Sequence, residues 1–185
     1  MGATTVSTGA PGAFEHFETP IGVFNHVLDN PDFRSEGTLN EFGVRGYGAK
    51  GQRIFDFGWV TAPKGNRAPS QMRLQLHATD PDILEVRLGS TQSKGCIRTN
   101  ASVNTFVDRY GVLDADYDRA IASGQHLWVL SPERTPTPWS GRYLVVVDSE
   151  RTDRPGWART PIGRHSAGWP PLSAARSALK MSRSP

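Results

Sequence analysis

The sequence predicts a mainly β domain with short helices, one of which starts directly after a single cysteine. Two runs, 54–60 and 73–77, alternate between apolar and polar residues, as strands with one buried face do. Residues 100–110 carry apolar side chains at helical spacing. Two further runs, 125–130 and 142–147, are rich in apolar, β-branched or aromatic residues and predict the last two strands.

The first part of the chain is predicted to consist mostly of turns and connections. Residues 1–13 are small, polar and glycine-rich, with one short strand over 5–7. A proline and a glycine mark a turn within residues 19–24. Residues 29–52 show little periodicity, and we interpret them as a long connection near the functional site.

The two alternating runs are predicted to be neighbouring strands joined by a turn-rich loop, 63–69. The first strand should turn three aromatic side chains to one face: Phe55, Phe57 and Trp59. In the second strand the leucines should point inward, with Gln75 and His77 on the opposite face. His77 then lies at the end of a strand, on the rim of the sheet where loops carry function, although an ordinary surface histidine fits the same position.

The helical pattern begins at Asn100, a residue suited to N-capping, and ends at Gly111. Four side chains should form its buried face: Val103, Phe106, Val107 and Tyr110. A second short helix is expected around residues 117–121, closed by Gly124. A proline-rich segment then joins the last two strands.

Charge divides the chain into a domain, residues 1–148, and a basic tail, residues 149–185, which we expect to be mobile. Residues 151–185 hold seven Lys or Arg and one Asp, a local charge of +6 within a total of +3. The rest of the chain is therefore mildly acidic, so we do not expect a nucleic-acid partner. No run approaches the ~18 apolar residues of a membrane-spanning helix, so no membrane span is expected.

The single cysteine, Cys96, stands in surroundings that favour reactivity over simple packing. A lone cysteine is often only a small buried hydrophobe, but most neighbours of Cys96 are polar, charged or glycine. Lys94, Arg98 and the helix start predicted near Asn100 should favour the thiolate and lower the pKa of the thiol. Gly95 permits a tight turn beside the sulfur.

Residues 93–98, Ser-Lys-Gly-Cys-Ile-Arg, resemble the nucleophile motif of the L,D-transpeptidase (YkuD-type) catalytic domain family. That family pairs the cysteine with an upstream histidine, and His77 stands nineteen positions before Cys96. Residues 19–24 resemble the family's Thr-Pro-x-Gly-x-Phe turn, and residues 6–9 resemble the Val-Ser-Thr-Gly strand end before it. The matches occur in the family's order along most of the chain.

The resemblance implies a β-sandwich-like fold of mixed sheets and an enzyme that acts in the periplasm or cell wall without a cofactor. It also implies a strand ahead of residue 6, so we expect the chain to begin downstream of the family's first strand. No signal peptide is visible in residues 1–5, which lack a basic segment followed by an apolar one.

A cysteine with a histidine in reach is a nucleophilic acyl-transfer pair. Cys96 would attack a peptide carbonyl, while His77 would take the thiol proton and return it to the leaving amine. The resemblance implies that the backbone carbonyl of Ala78 holds the imidazole. It also implies that backbone N–H groups of Lys94, Gly95 and Cys96 bind the oxyanion.

Two more residues of the motif, Ser93 and Arg98, are predicted to bind the substrate. Arg98 could hold a substrate carboxylate in a two-pronged contact, or it could form an ion pair with a loop aspartate. The resemblance implies peptidoglycan stem peptides as the substrate, cleaved between an L-centre and the following D-residue. The acceptor would be an amine on a neighbouring stem or a lipoprotein lysine.

Three other functions compete with this interpretation. Transfer to water would make the same site an L,D-carboxypeptidase, a cross-link hydrolase or a lipoprotein–murein hydrolase, and a non-catalytic wall-binding module is a further alternative. A papain-like protease would place its histidine downstream of Cys96, and its local signature is absent. A metal site is not expected, because Cys96 and the five histidines show no ligand-type spacing.

The pattern Gly-x-Gly-x-x-Gly at residues 46–51 does not predict a nucleotide site. Dinucleotide-binding loops carry this pattern between a strand and a helix. Here a strand pattern follows instead, so we interpret the glycines as parts of a flexible loop.

Overall fold

A computed structural model of the protein describes residues 3–148. The predicted tail, residues 149–185, lies outside this range. The described chain has six strands in sequence order: β1 (Gly22–Asn25), β2 (Phe33–Arg34), β3 (Arg53–Lys64), β4 (Arg67–Ala78), β5 (Ile97–Thr99) and β6 (Tyr143–Val146). Two α-helices lie between β5 and β6: α1 (Ala101–Arg109) and α2 (Ala115–Ala122). A short 3-10 turn occupies Glu85–Arg87.

The strands form two separate sheets. One has four strands in the order β2-β3-β4-β5, and the other pairs β1 with β6 in antiparallel fashion. In the larger sheet β3 and β4 are antiparallel, whereas β5 runs parallel to β4. Residues 3–148 therefore form mainly sheet with two short helices and no closed barrel, which confirms the mainly β prediction.

The core lies against the β3–β4 hairpin. Its buried side chains are Phe55, Phe57, Ala62, Met72 and Leu74. Partly buried residues from several segments pack on this cluster, including Phe17 before β1, Val107 on α1 and Leu144 on β6. The hairpin thus forms the base on which the helices and the N-terminal segment rest.

The β3–β4 hairpin contains a bulge that the sequence pattern does not indicate. Asp56 pairs with Gln75 and Trp59 with Arg73, so β3 advances three residues while β4 advances two. Gly58, with φ of 81°, has the left-handed backbone that suits the bulge. The extra residue reverses the alternation of side chains. Trp59 is consequently 65% exposed, and the prediction that it shares a buried face with two phenylalanines is wrong.

The two strands are also longer than predicted. Lys64 pairs with Arg67, so the connection is a two-residue turn, and most of the predicted loop 63–69 belongs to the strands. Residues 125–130, predicted as a strand, instead contain a turn. Their apolar pattern reflects packing, because Val129 is buried and its carbonyl accepts a hydrogen bond from Arg34 Nε at 2.8 Å.

Helix α1 begins where predicted, but it buries a different face. Asn100 caps the helix, since its side chain accepts a hydrogen bond from the Val103 N–H at 2.8 Å. The buried residues are Asn104 and Asp108, one turn apart, because the helix packs on a polar cluster. The predicted face is wrong in part: the rings of Phe106 and Tyr110 lie at the surface with centroids 4.9 Å apart.

The polar cluster under α1 is centred on Arg53, whose side chain is fully buried. Its guanidinium contacts Asp32 at 2.7 Å, Asp114 at 2.8 Å and Asp108 at 3.3 Å. Burial works against the charged form, but these carboxylates outweigh it and raise the pKa of Arg53 above its ordinary value. The cluster joins the connection before β2 to β3, to α1 and to the start of α2.

No helix within residues 3–148 is long and apolar enough to cross a membrane.

Candidate active site

The N-terminal segment runs beside the segment that carries Cys96. Ser7 and Arg98 exchange two backbone hydrogen bonds, of 2.9 and 2.8 Å, and the Ser93 N–H donates to Thr8 O at 2.9 Å. The short strand predicted at residues 5–7 is therefore reduced to an isolated bridge. Its place in the fold is to support the backbone on both sides of the cysteine.

The turn at residues 19–24 supports the same segment from another side. The Thr19 hydroxyl donates to Gly95 O at 2.7 Å and accepts from the Gly9 N–H at 2.8 Å. One threonine side chain thus joins three stretches that are far apart in sequence: residues 6–9, 19–24 and 93–98. These are the stretches on which the family resemblance depends.

Ser93 shapes the turn around the cysteine from inside. Its side chain is fully buried, and its hydroxyl accepts from the Gly95 N–H at 3.0 Å and donates to Cys96 O at 2.6 Å. The hydroxyl predicted to contact substrate is therefore engaged within the turn. Of the three predicted oxyanion donors, the Gly95 N–H is also engaged, whereas those of Lys94 and Cys96 donate to no acceptor within residues 3–148.

Gly95 is required by its backbone and by its neighbours. Its φ is 123°, and an added Cβ would lie 2.8 Å from Met72 Sδ and 2.9 Å from Phe17 Cβ. We expect Gly95→Ala to lower the free energy of unfolding by about 2 to 4 kcal/mol, from backbone strain and overpacking together. Urea unfolding measures this loss.

Gly124→Ala is the matched control for Gly95→Ala. Gly124 has a φ of 91° but nothing within 4 Å of an added Cβ, so only the backbone strain remains. Equal losses in the two variants would contradict the close packing of Gly95 against Met72.

His77 lies on the same face of the sheet as Cys96. The parallel register pairs His77 with Arg98 and places Cys96 beside Gln75, two residues before His77 on β4. The His77 Nδ1–H donates to Ala78 O at 2.6 Å, since a carbonyl can only accept. The remaining nitrogen, Nε2, is therefore the atom that can accept a proton.

His77 is buried, not at the surface as its position at a strand end suggested. It is 4% exposed, and burial lowers its pKa to about 4, against a raising effect of the Ala78 carbonyl and with a further lowering by Arg98. The imidazole is therefore neutral at neutral pH. A neutral imidazole is the form that a general base needs.

The thiol of Cys96 also differs from the prediction. Burial raises its pKa, Asp56 adds to that effect, and the Gln75 backbone N–H and Arg98 act in the opposite direction. Lys94, expected to stabilise the thiolate, is exposed and is not among the groups that act on the sulfur. The predicted lowering of the pKa is wrong, because desolvation of the sulfur outweighs the neighbouring charges.

Two site residues were not identified from the sequence. Gln75 Oε1 lies 4.0 Å from Cys96 Sγ and accepts the Tyr47 hydroxyl at 3.1 Å. The Tyr47 ring stands edge-on against the His77 imidazole, with centroids 4.8 Å apart. The alternation in β4 already placed Gln75 beside His77, but nothing in the sequence indicated Tyr47 beyond the expectation that residues 29–52 approach the site.

Arg98 has no acidic partner within residues 3–148. Its guanidinium donates to Gln92 O at 3.5 Å, and its buried Nε has no partner there. Burial lowers the pKa of Arg98, as expected for a cation with little compensation. Of the two roles predicted for Arg98, the ion pair with a loop aspartate is therefore not formed in the described chain.

Comparison with models of known protein families gives no match, and comparison with curated proteins gives none either.

Proposed function

We propose that the protein is a cysteine-dependent acyltransferase of the L,D-transpeptidase type, which forms a thioester at Cys96. The observation that carries the proposal is the arrangement of His77: its Nδ1–H is fixed by Ala78 O at 2.6 Å, so its basic Nε2 is available on the face that holds Cys96. Nucleophilic acyl transfer needs a nucleophile and a base that is held in one tautomer. Here Cys96 would be the nucleophile, His77 the base, and the Ala78 carbonyl the group that holds the base.

The first half of the reaction forms the thioester. Cys96 Sγ attacks the carbonyl carbon of the substrate while the thiol proton passes to His77 Nε2. The N–H groups of Lys94 and Cys96 bind the negative oxygen of the tetrahedral intermediate. The carbon–nitrogen bond then breaks, and the His77 proton goes to the leaving amine.

The second half transfers the acyl group to an acceptor amine. His77 Nε2 removes a proton from the amine as its nitrogen attacks the thioester carbon. The carbon–sulfur bond breaks, and the sulfur recovers the proton from His77. Water in place of the amine would give hydrolysis at the same site, by the carboxypeptidase or cross-link hydrolase route.

The substrate class follows from the resemblance and from Arg98. A partly buried guanidinium next to the nucleophile, with no acidic partner among residues 3–148, suits a substrate carboxylate. Peptidoglycan stem peptides supply such carboxylates, and an enzyme of this class acts in the periplasm or cell wall. A cavity of about 270 Å³ is lined by residues 33–36, 38, 46 and 47, and one of these, Tyr47, also contacts the His77 imidazole.

Two incubations test the proposal. With a purified stem tetrapeptide and an amine acceptor, we expect loss of the terminal D-residue and a cross-linked product by mass spectrometry. With a carbapenem, we expect one covalent addition per chain, mapping to the peptide that contains Cys96, because the β-lactam mimics the acyl donor.

Cys96→Ser is the control, since a hydroxyl of far higher pKa should lose the adduct. Release of the D-residue without cross-linking would favour the hydrolytic alternative. Sedimentation with sacculi that survives Cys96→Ala, without any adduct, would favour a wall-binding module. A folded, reduced protein that stays unmodified by the carbapenem and inert to the tetrapeptide would overturn the proposal.

A further inference from the structure

The orientation of the Gln75 side-chain amide is determined by Asp56. Asp56 Oδ2 receives the Gln75 Nε2–H at 2.9 Å and the Arg73 Nε–H at 2.7 Å. A carboxylate paired with a guanidinium can only accept hydrogen bonds, so the NH₂ end of the amide must face it. The amide oxygen, Oε1, therefore points the other way, toward Cys96 and the Tyr47 hydroxyl.

The sulfur of Cys96 consequently faces two hydrogen-bond acceptors. Gln75 Oε1 lies 4.0 Å away and Arg73 O lies 3.7 Å away. A thiol can donate its hydrogen to either oxygen, whereas a thiolate would turn its negative charge toward their lone pairs. Both contacts therefore stabilise the protonated form.

We propose that Gln75 is a positioning residue that holds Cys96 as a neutral thiol at rest. The charged or titratable groups around the sulfur come from each element packed there: Tyr47 before β3, Asp56 on β3, Arg73 and His77 on β4, and Arg98 on β5. Arg98 and the backbone N–H of Gln75 favour the thiolate, while burial and Asp56 oppose it. The contact with the Gln75 side chain adds to the effects that favour the protonated thiol.

This inference deepens the proposed function and, for its catalytic meaning, rests on it. A neutral thiol next to a neutral imidazole must lose its proton as the carbon–sulfur bond forms, not before. The resting sulfur is then protected, because thiolates and not thiols are alkylated and oxidised. Substrate binding becomes the event that starts proton transfer to His77.

Iodoacetamide alkylation tests the inference without any need for enzyme activity. Cys96 is the only cysteine, so the rate reports one thiol. Gln75→Met keeps a side chain of similar size but removes the acceptor, while the Gln75 backbone N–H remains. We expect alkylation near neutral pH to become about three- to tenfold faster and its pH midpoint to fall, as the loss of one hydrogen bond predicts.

Gln71→Met makes the same chemical change at an exposed position four residues earlier on β4, where the side chain donates a hydrogen bond to Thr61, and should leave the rate unchanged. Tyr47→Phe should slow alkylation, because Gln75 Oε1 loses a competing donor and accepts more strongly from the thiol. If Gln75 had a purely structural role, Gln75→Met and Tyr47→Phe would change the alkylation rate in the same direction.

An unchanged or slower rate in folded Gln75→Met would overturn the inference. If that variant does not fold, a faster rate in Tyr47→Phe would overturn it instead. The expected pair of shifts in a protein that forms no thioester would leave the inference standing and remove the proposed function. A protein that forms the thioester but shows neither change in alkylation rate would overturn the inference and leave the proposed function standing.

Discussion

Replacement of His77 by asparagine is expected to slow the acylation of Cys96 by a carbapenem by roughly 10²- to 10⁴-fold, the usual loss of a general base. The thiol of Cys96 keeps its proton at rest because burial raises its pKa. His77→Asn removes Nε2, the base that we propose takes that proton during attack. Time-resolved intact-mass spectrometry measures the rate.

Asparagine is the right replacement because His77 is buried. Its amide can donate to Ala78 O, as the His77 Nδ1–H does at 2.6 Å, while the basic nitrogen is lost. Alanine would leave a cavity at this buried position and could destabilise the fold, so it is the poorer replacement. Thermal unfolding of His77→Asn serves as the control for folding.

The pH profile of acylation provides a second readout of the same role. Burial lowers the pKa of His77 to about 4 from an ordinary 6.5, so the base stays neutral down to that lower pH. The acid limb of the wild-type rate should therefore lie near pH 4. The same lowered pKa means that the folded state binds fewer protons than the unfolded state between these values, so stability falls as pH drops from 6.5 toward 4. Undiminished acylation in folded His77→Asn would contradict the role of His77.

The local elements of this fold could be predicted, because they follow from short-range pattern. The cap at Asn100 and the last strand are read directly from residue types. The exposure of Trp59 could not be predicted. The bulge at Gly58 moves the side chains that follow it in β3 to the opposite face, and it leaves almost no trace in the sequence pattern. The buried face of α1 was misjudged for a different reason. Apolar spacing predicts an apolar partner, whereas α1 packs its Asn104 and Asp108 against a buried arginine.

At the candidate site, the sequence could indicate that Cys96 and His77 lie near each other, but it could not indicate their electrostatics. The parallel register of β5 beside the end of β4 places both on one face of the sheet, and Ala78 O accepts the His77 Nδ1–H. The pKa of the thiol depends instead on burial, which no local sequence reports. The contact of Tyr47 with His77 depends on how a long connection folds back. Pattern analysis identifies such a segment as a connection, but it does not show which part of the fold the segment contacts.

Replacement of Arg53 by methionine is expected to have the largest effect on stability. Met fills much of the same volume but leaves Asp32 fully buried without its arginine partner, and leaves Asp114 only the longer contact with Arg134 at 3.3 Å. Removal of one partner from a buried ionic cluster costs about 3 to 5 kcal/mol, a large part of the total of roughly 5 to 15 kcal/mol that stabilises a typical domain. Asp32 also accepts from His26 Nε2 at 2.8 Å, so the loss should extend to the connection before β2. Chemical denaturation followed by circular dichroism measures it.

Arg119→Met is the matched control, because it also removes an arginine from an ion pair. Arg119 is 69% exposed and pairs with Asp116 within α2, so its loss should cost at most about 0.5 kcal/mol. If Arg53→Met lowered the free energy of unfolding as little as Arg119→Met at neutral pH, the Arg53 cluster would not be what joins α1, α2 and β3. The position of α1, which follows Cys96, would then depend on the apolar contact of Val107 with the hairpin core.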